Sequence, residues 1–175
     1  MKSNVALIGF MGTGKTAVGK VLAEKLEKKF VGLDALIEQR AGKSVTEIFH
    51  QDGEVAFREL EIEVTKEIAG EENIVIDCGG GIVLNKINID RLKRNAVIVQ
   101  LTASPDVVLK RILTDGEVRP ILNVPEKAVK IRELLEFRRP YYEGAADIRI
   151  NTSNLDVDSI AERIIKKLKE YESFH

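Results

Sequence analysis

The stretch "NVALIGFMGTGKT", residues 4–16, runs an almost wholly apolar segment into a loop of three glycines that closes on Lys15 and Thr16. Its spacing fits G-x-x-x-x-G-K-[ST]: backbone N–H groups ring a phosphate, the lysine reaches the outer oxygens and the hydroxyl ligates Mg²⁺. The loop lies between a strand buried on both faces and an amphipathic helix, where a helix N-terminus can face an anion. Gly12, Thr13, Gly14, Lys15, Thr16 and Ala17 are the expected nucleotide contacts. Lys15 would offset charge on the β- and γ-phosphates, and Thr16 would hold the metal. A nucleotide grip leaves the phosphoryl acceptor open.

Strand and helix signals alternate along the chain. Val18, Val21, Leu22 and Leu26 recur at helical spacing after the loop; a short strand follows near Phe30 to Asp34, then a helix through Ile37. Ser44 with Glu47 three residues later reads as a helix start, and Phe57, Leu60, Val64 and Ile68 form the stripe of a longer helix. "NIVIDCGGG" and "NAVIVQL" (95–101) are too solidly apolar for half-exposed strands. Ser104 and Pro105 open a helix, Thr114 to Pro125 reads as a polar mobile loop, and a helix through Ile131, Leu134 and Leu135 is expected to stop near Pro140. "DIRIN" gives a last strand, and Ile160, Ile164, Ile165 and Leu168 face the core from a final helix.

This order implies right-handed βαβ crossovers and a parallel sheet covered on both sides. The expected fold class is α/β, a three-layer P-loop kinase fold with a five-stranded parallel sheet flanked by helices. A small helical substrate-binding segment is expected at about 35–62 and a lid at about 114–125, all within one domain of residues 1–175. The net charge of −1 gives no general pull toward nucleic acid or anionic membrane, so any recognition of anions must be local. No run of about 18 apolar residues is present, and the apolar stretch after Lys2 is too short for a signal peptide. The lone Cys78 allows no internal disulfide, which suits a reducing compartment. A cytoplasmic monomer with small-molecule substrates is expected.

Five further motifs, "FVGLDALIEQRAG", "DGEVAFRELE", "CGGG", "VRPIL" and "RRPYY", follow the glycine loop in that order. Together with it they resemble shikimate kinase, a small P-loop enzyme of the nucleoside monophosphate kinase type, over nearly the whole chain. The resemblance implies transfer of a phosphoryl group from ATP, with Mg²⁺, to the 3-hydroxyl of shikimate. By that likeness Asp34 takes the hydroxyl proton, although on the residues alone it could equally cap the helix beginning at Ala35. Arg58 would grip the carboxylate of shikimate with Glu61, three residues on, holding the guanidinium; the alternative is a surface ion pair. Gly79, Gly80 and Gly81 would bind substrate oxygens. Arg138 is chosen over Arg139 as the second carboxylate clamp, Arg119 as the lid arginine and Arg111 as a stacking partner for adenine.

Two positions depart from the resembled pattern. Where an aspartate usually stands two residues before the catalytic one, this chain has Gly32, and where a small hydroxyl residue is usual before the glycines it has Asp77. Asp77 is expected either to supply the metal contact that Gly32 cannot or to bond the P-loop backbone. A kinase of another hydroxylated acid and a non-catalytic nucleotide sensor are the rival readings. The sensor would have no use for Asp34, Arg58 and Arg138 together. His50 and His175 lack a second ligand at metal spacing, and Tyr141 and Tyr142 read as support for a helix end.

Overall fold

Strand β1 (Asn4–Ile8) is buried along its whole length, as its apolar run requires. Four more strands join it: β2 (Lys29–Gly32), β3 (Ile74–Asp77), β4 (Ala96–Thr102) and β5 (Ile148–Asn151). The sheet order is β2-β3-β1-β4-β5, and every pair is parallel. The computed structural model describes residues 1–122 and 125–175; positions 123 and 124 of the expected lid lie outside the described residues.

Alternation along β1 divides the core. Val5 and Leu7 pack toward Val18 and Leu22 of α1 (Lys15–Lys25) and Ile160 and Ile164 of α8 (Val157–Phe174). Ala6 and Ile8 share the opposite core with Ile37 of α2 (Leu33–Ala41), Phe57 and Ile68 of α4 (Gly53–Ile68), and Ile131 of α7 (Lys127–Ala145). Between α2 and α4, α3 (Val45–Gln51) starts with a reciprocal cap. Ser44 Oγ accepts from Glu47 N at 3.1 Å, and Ser44 N donates to Glu47 Oε2 at 2.8 Å. Ser104 likewise caps α6 (Pro105–Asp115), with proline in its first turn.

Three boundaries differ from the sequence expectation. Helix α7 does not stop near Pro140; it passes through that residue to Ala145. A proline inside a helix costs about 3 kcal/mol, but Pro140 is on the exposed side, whereas Arg138, Tyr142 and Ala145 are buried and hold the helix on both sides of it. Asp34 does not cap: Gly32 is the N-cap, and the helix begins two residues earlier because the fully buried Leu33 turns into the core. The expected lid begins in helix, since α6 runs to Asp115, and it contains a 3₁₀ turn at Pro120–Leu122. The helix α5 (Lys86–Leu92) was not expected, because seven residues are too few to show a period.

The loops that follow β1, β2 and β3 therefore meet at the carboxyl edge of the sheet. Open parallel sheets bind ligands at that edge.

Candidate active site

At the end of β1 the chain turns through Gly14, whose φ of +93° is a conformation side-chain-bearing residues rarely adopt, and enters α1 at Lys15. The first N–H groups of a helix have no partner inside it, so those of α1 face the loop as anion donors. Lys15 Nζ donates to Gly9 O at 2.8 Å and Phe10 O at 3.0 Å, and its side chain is buried. Burial holds the ammonium pKa below its ordinary value, against the charges of Asp77 and Asp34, which act to raise it. Both carboxylates thus stand close enough to Lys15 to be felt. Thr16 Oγ1 donates to Asp77 Oδ2 at 2.5 Å, so the loop's hydroxyl is joined to the last residue of β3. Thr13 is buried through a bond to Phe10 O at 2.7 Å, and Ala17 lies exposed at the helix start.

A cavity of about 950 Å³ opens from this loop and is lined by Lys15, Thr16, Asp34, Asp77, Arg58, Arg138, Arg111 and Arg119. Asp34 sits in the first turn of α2, exposed on the side that faces the cavity. Desolvation, followed by the Asp77 charge, pushes its carboxyl up to about 6, with Lys15 opposing. Glu61 is fully buried, and burial pushes it up to about 7 despite the Arg58 guanidinium, whose Nη1 donates to Glu61 Oε1 at 3.1 Å. The second oxygen of Glu61 has no partner among the described residues. The Arg58–Glu61 pair is thus a buried-edge pair, not a surface one; Arg58 also meets the exposed Glu54 at 3.2 Å.

Arg138 is 3% exposed while its neighbour Arg139 faces solvent, so the inward arginine is the one the sequence reading selected. Its guanidinium lies 5.8 Å from the ring centroid of Phe10 and has no acidic partner among the described residues. A cation removed from water without a counter-charge is costly, and a bound anion would supply that charge.

The three glycines after β3 leave room for these side chains. A Cβ on residue 79 would stand 3.0 Å from Asp34 Oδ1 and 3.1 Å from Glu61 Oε2, and one on residue 81 would collide with the Arg58 guanidinium. Gly80 lies between the two halves of the site: its Cβ position is 3.5 Å from Met11 N of the loop and 3.6 Å from Arg138 Nη1.

A family model described as shikimate kinase matches residues 11–169. The chain belongs to the shikimate kinase family. The shikimate kinase of Pelotomaculum thermopropionicum is 43% identical over 168 residues, covering 96% of each chain. That of Thermodesulfovibrio yellowstonii is 46% identical over 169 residues, covering 97% of this chain and 95% of its own. Among solved structures, the Acinetobacter baumannii shikimate kinase in complex with shikimate superposes with a TM-score of 0.93 at 33% identity, covering 98% of this chain and 95% of that one.

Within this shikimate kinase fold the remaining expected residues are placed as follows. Arg119 is held by acids of its own segment: Nη1 donates to Asp115 Oδ1 at 3.0 Å and Nη2 to Asp115 Oδ2 at 2.5 Å and Glu117 Oε2 at 3.1 Å. Arg111 Nη1 donates to Gly12 O at 3.2 Å and Thr152 Oγ1 at 3.0 Å, and Nη2 to Thr152 O at 3.0 Å, so it ties the glycine loop to the end of β5. Asp77 bonds the hydroxyl of Thr16, not the loop backbone, and Gly32 is its register partner across β2 and β3. Among the described residues no group of three or more His, Cys, Asp or Glu could hold a metal.

One residue does more than the sequence reading gave it, which was only support for a helix end. Tyr142 is buried, and its hydroxyl donates to Gly80 O. The signal was there, four residues after Arg138, but it becomes visible only when the helix is carried through Pro140.

Proposed function

We propose that the chain transfers the γ-phosphoryl group of ATP to the 3-hydroxyl of shikimate, giving ADP and 3-phosphoshikimate. The observation that carries this reading is Arg138: a buried cation without an acidic partner among the described residues, in the same cavity as the phosphate loop and Asp34. Two arginines and an unpaired charge call for an anionic acceptor, and planar forks suit a carboxylate.

In this reading Arg58 and Arg138 orient the acid, with Glu61 holding Arg58, and the N–H groups of Gly79, Gly80 and Gly81 receive substrate oxygens. Asp34 accepts the hydroxyl proton as the substrate oxygen bonds to the γ-phosphorus and the bond to the β-phosphate oxygen breaks. A base with a pKa of about 6 is ionised at neutral pH yet still basic enough to take a proton. Lys15 exchanges its loop carbonyls for phosphate oxygens, the backbone from Gly12 to Ala17 cradles the phosphates, and Arg119 leaves Asp115 to meet charge on the transferring group. The hydrogen bonds of Arg111 lie in its guanidinium plane and leave a face for adenine.

The Thr16 hydroxyl and Asp77 carboxylate, 2.5 Å apart at the loop, are hard oxygen donors that fit Mg²⁺, and we assign the ion to them. When bound, Mg²⁺ neutralises charge on the β- and γ-phosphates. Positioning and charge stabilisation supply most of the rate. The chain would act in the cytoplasm as a monomer on small molecules; no helix among the described residues is long and apolar enough to cross a membrane.

A coupled assay of ADP production across a panel of hydroxylated acids, with and without Mg²⁺, tests the reading. Turnover should require shikimate and the metal; ADP release indifferent to shikimate would overturn it.

A further inference from the structure

Arg138 and Tyr142 stand one turn apart on α7, and both side chains are buried. The Tyr142 hydroxyl donates to Gly80 O, and the Arg138 guanidinium lies beside the same phenol. Burial pushes the phenol pKa up, so the group remains a neutral donor. The C=O and N–H of one trans peptide point in opposite directions. Anchoring Gly80 O therefore also sets the direction of the Gly81 N–H.

That peptide lies between the two guanidiniums. The Arg58 guanidinium occupies the space a Cβ on residue 81 would take, and Arg138 Nη1 is 3.6 Å from the Cβ position of residue 80. Among the described residues the N–H groups of Gly79, Gly80 and Gly81 donate to no acceptor, whereas Gly79 O and Gly81 O accept from Ile82 N and Leu84 N at 3.1 Å. The carbonyls of the segment are spent on structure and its donors are left for a ligand. Gly80 O, the one carbonyl not used by the following turn, is taken by Tyr142.

We propose that Tyr142 is a positioning residue for substrate recognition: its hydroxyl locks the Gly80–Gly81 peptide against Arg138, so that the Gly81 N–H and the two guanidiniums converge on one carboxylate. This rests on the reading of Arg58 and Arg138 as the carboxylate clamp. The ring of Tyr142 packs α7 on the core whether or not it carries oxygen; the hydroxyl serves the peptide.

The test is Tyr142→Phe, which keeps the ring, with shikimate, the primary amide of shikimate and ADP each titrated calorimetrically into wild type and variant. Loss of one hydrogen bond to the positioned peptide is expected to weaken shikimate about fivefold to tenfold. The amide should change less than about twofold and ADP not at all, because neither uses the converged charges. Equal weakening of acid and amide, or of ADP alongside them, would make Tyr142 a merely structural residue, and an unchanged acid affinity would also overturn the proposal. If wild type itself binds the amide as tightly as the acid, the carboxylate clamp fails first. If wild type discriminates and the variant keeps the same ratio, the clamp stands and only the role of Tyr142 falls. The acid-to-amide ratio is taken on one preparation, so partial misfolding does not disturb it. Tyr142→Met provides a second hydroxyl-free side chain, with the same loss of ratio expected.

Discussion

Thr16 Oγ1 donates to Asp77 Oδ2 at 2.5 Å, joining the end of the glycine loop to the end of β3 directly opposite Gly32 in the sheet register. A carboxylate thus stands one strand over from Gly32, still at the carboxyl edge. A side chain on residue 32 would meet nothing nearer than 3.8 Å, and the backbone there is extended, so either strand could carry it.

Asp77→Ser should raise the Mg²⁺ concentration for half-maximal turnover at least about tenfold while leaving the melting temperature close to wild type. Adding Gly32→Asp should restore much of that loss. Direct Mg²⁺ titration in the presence of ADP checks both, and an unchanged metal requirement in Asp77→Ser would remove Asp77 from the metal shell.

Asp34→Asn should lower kcat by about 10²- to 10⁴-fold with ATP affinity changed less than about threefold. It should also stabilise the protein at high pH. A carboxyl whose folded pKa is raised from 3.8 to about 6 favours the folded state at low pH and loses that stability as pH rises between the two values. At pH 8 the variant is spared the cost of the ionised group. Because cavity water screens Asp34, the gain is discounted to about 1 kcal/mol, a rise of about 2–4 °C in melting temperature. Melts at pH 8 and pH 4 check the sign, since the gain should vanish at the lower pH.

The same shift shapes the rate profile. Below about 6 Asp34 is protonated and cannot accept the hydroxyl proton, so kcat/KM for shikimate should fall with decreasing pH through that region. Glu61, pushed up to about 7, loses its charge beside Arg58 over a neighbouring range, and the acid limb should be steeper than one proton. Glu61→Gln should leave a single-proton limb. A pH-rate series on wild type and variant decides this, and a flat profile from pH 5 to 8 would falsify the assignment of Asp34 as base.

Arg138→Leu should raise KM for shikimate about 100-fold, the scale of a charge-assisted fork lost, and leave KM for ATP within about threefold. Its stability in urea should be equal to or above wild type, because the substitution removes a buried cation with no acidic partner among the described residues. A stability loss with unaltered shikimate kinetics would make Arg138 a packing residue.

Much of the site was legible because its signals are local. The glycine loop with Lys15 and Thr16 is one contiguous word, the Arg58–Glu61 spacing puts both on one side of a helix, and the choice of Arg138 over Arg139 survives in their opposite burial. For Asp34 the sequence left a helix cap open as an alternative, and the structure removes it: the burial of Leu33 starts α2 early and puts the aspartate in the first turn. Tyr142 was read only as support for a helix end because a local rule about Pro140 cut the helix that carries it. Buried contacts on both sides of the proline outweighed the propensity that the rule describes.

The sequence by itself determined the alternation of strands and helices, the phosphate loop and the list of charged residues available for chemistry, since each is written in periods and spacings of a few residues. The tertiary structure alone decided which charges meet. Gly32 faces Asp77 only through the register of β2 against β3, and Tyr142 reaches Gly80 across 62 positions of chain only because α7 packs against the 3₁₀ turn Ile82–Leu84 that follows the glycines. Such relationships come from how elements pack, and no property of either segment taken separately contains them.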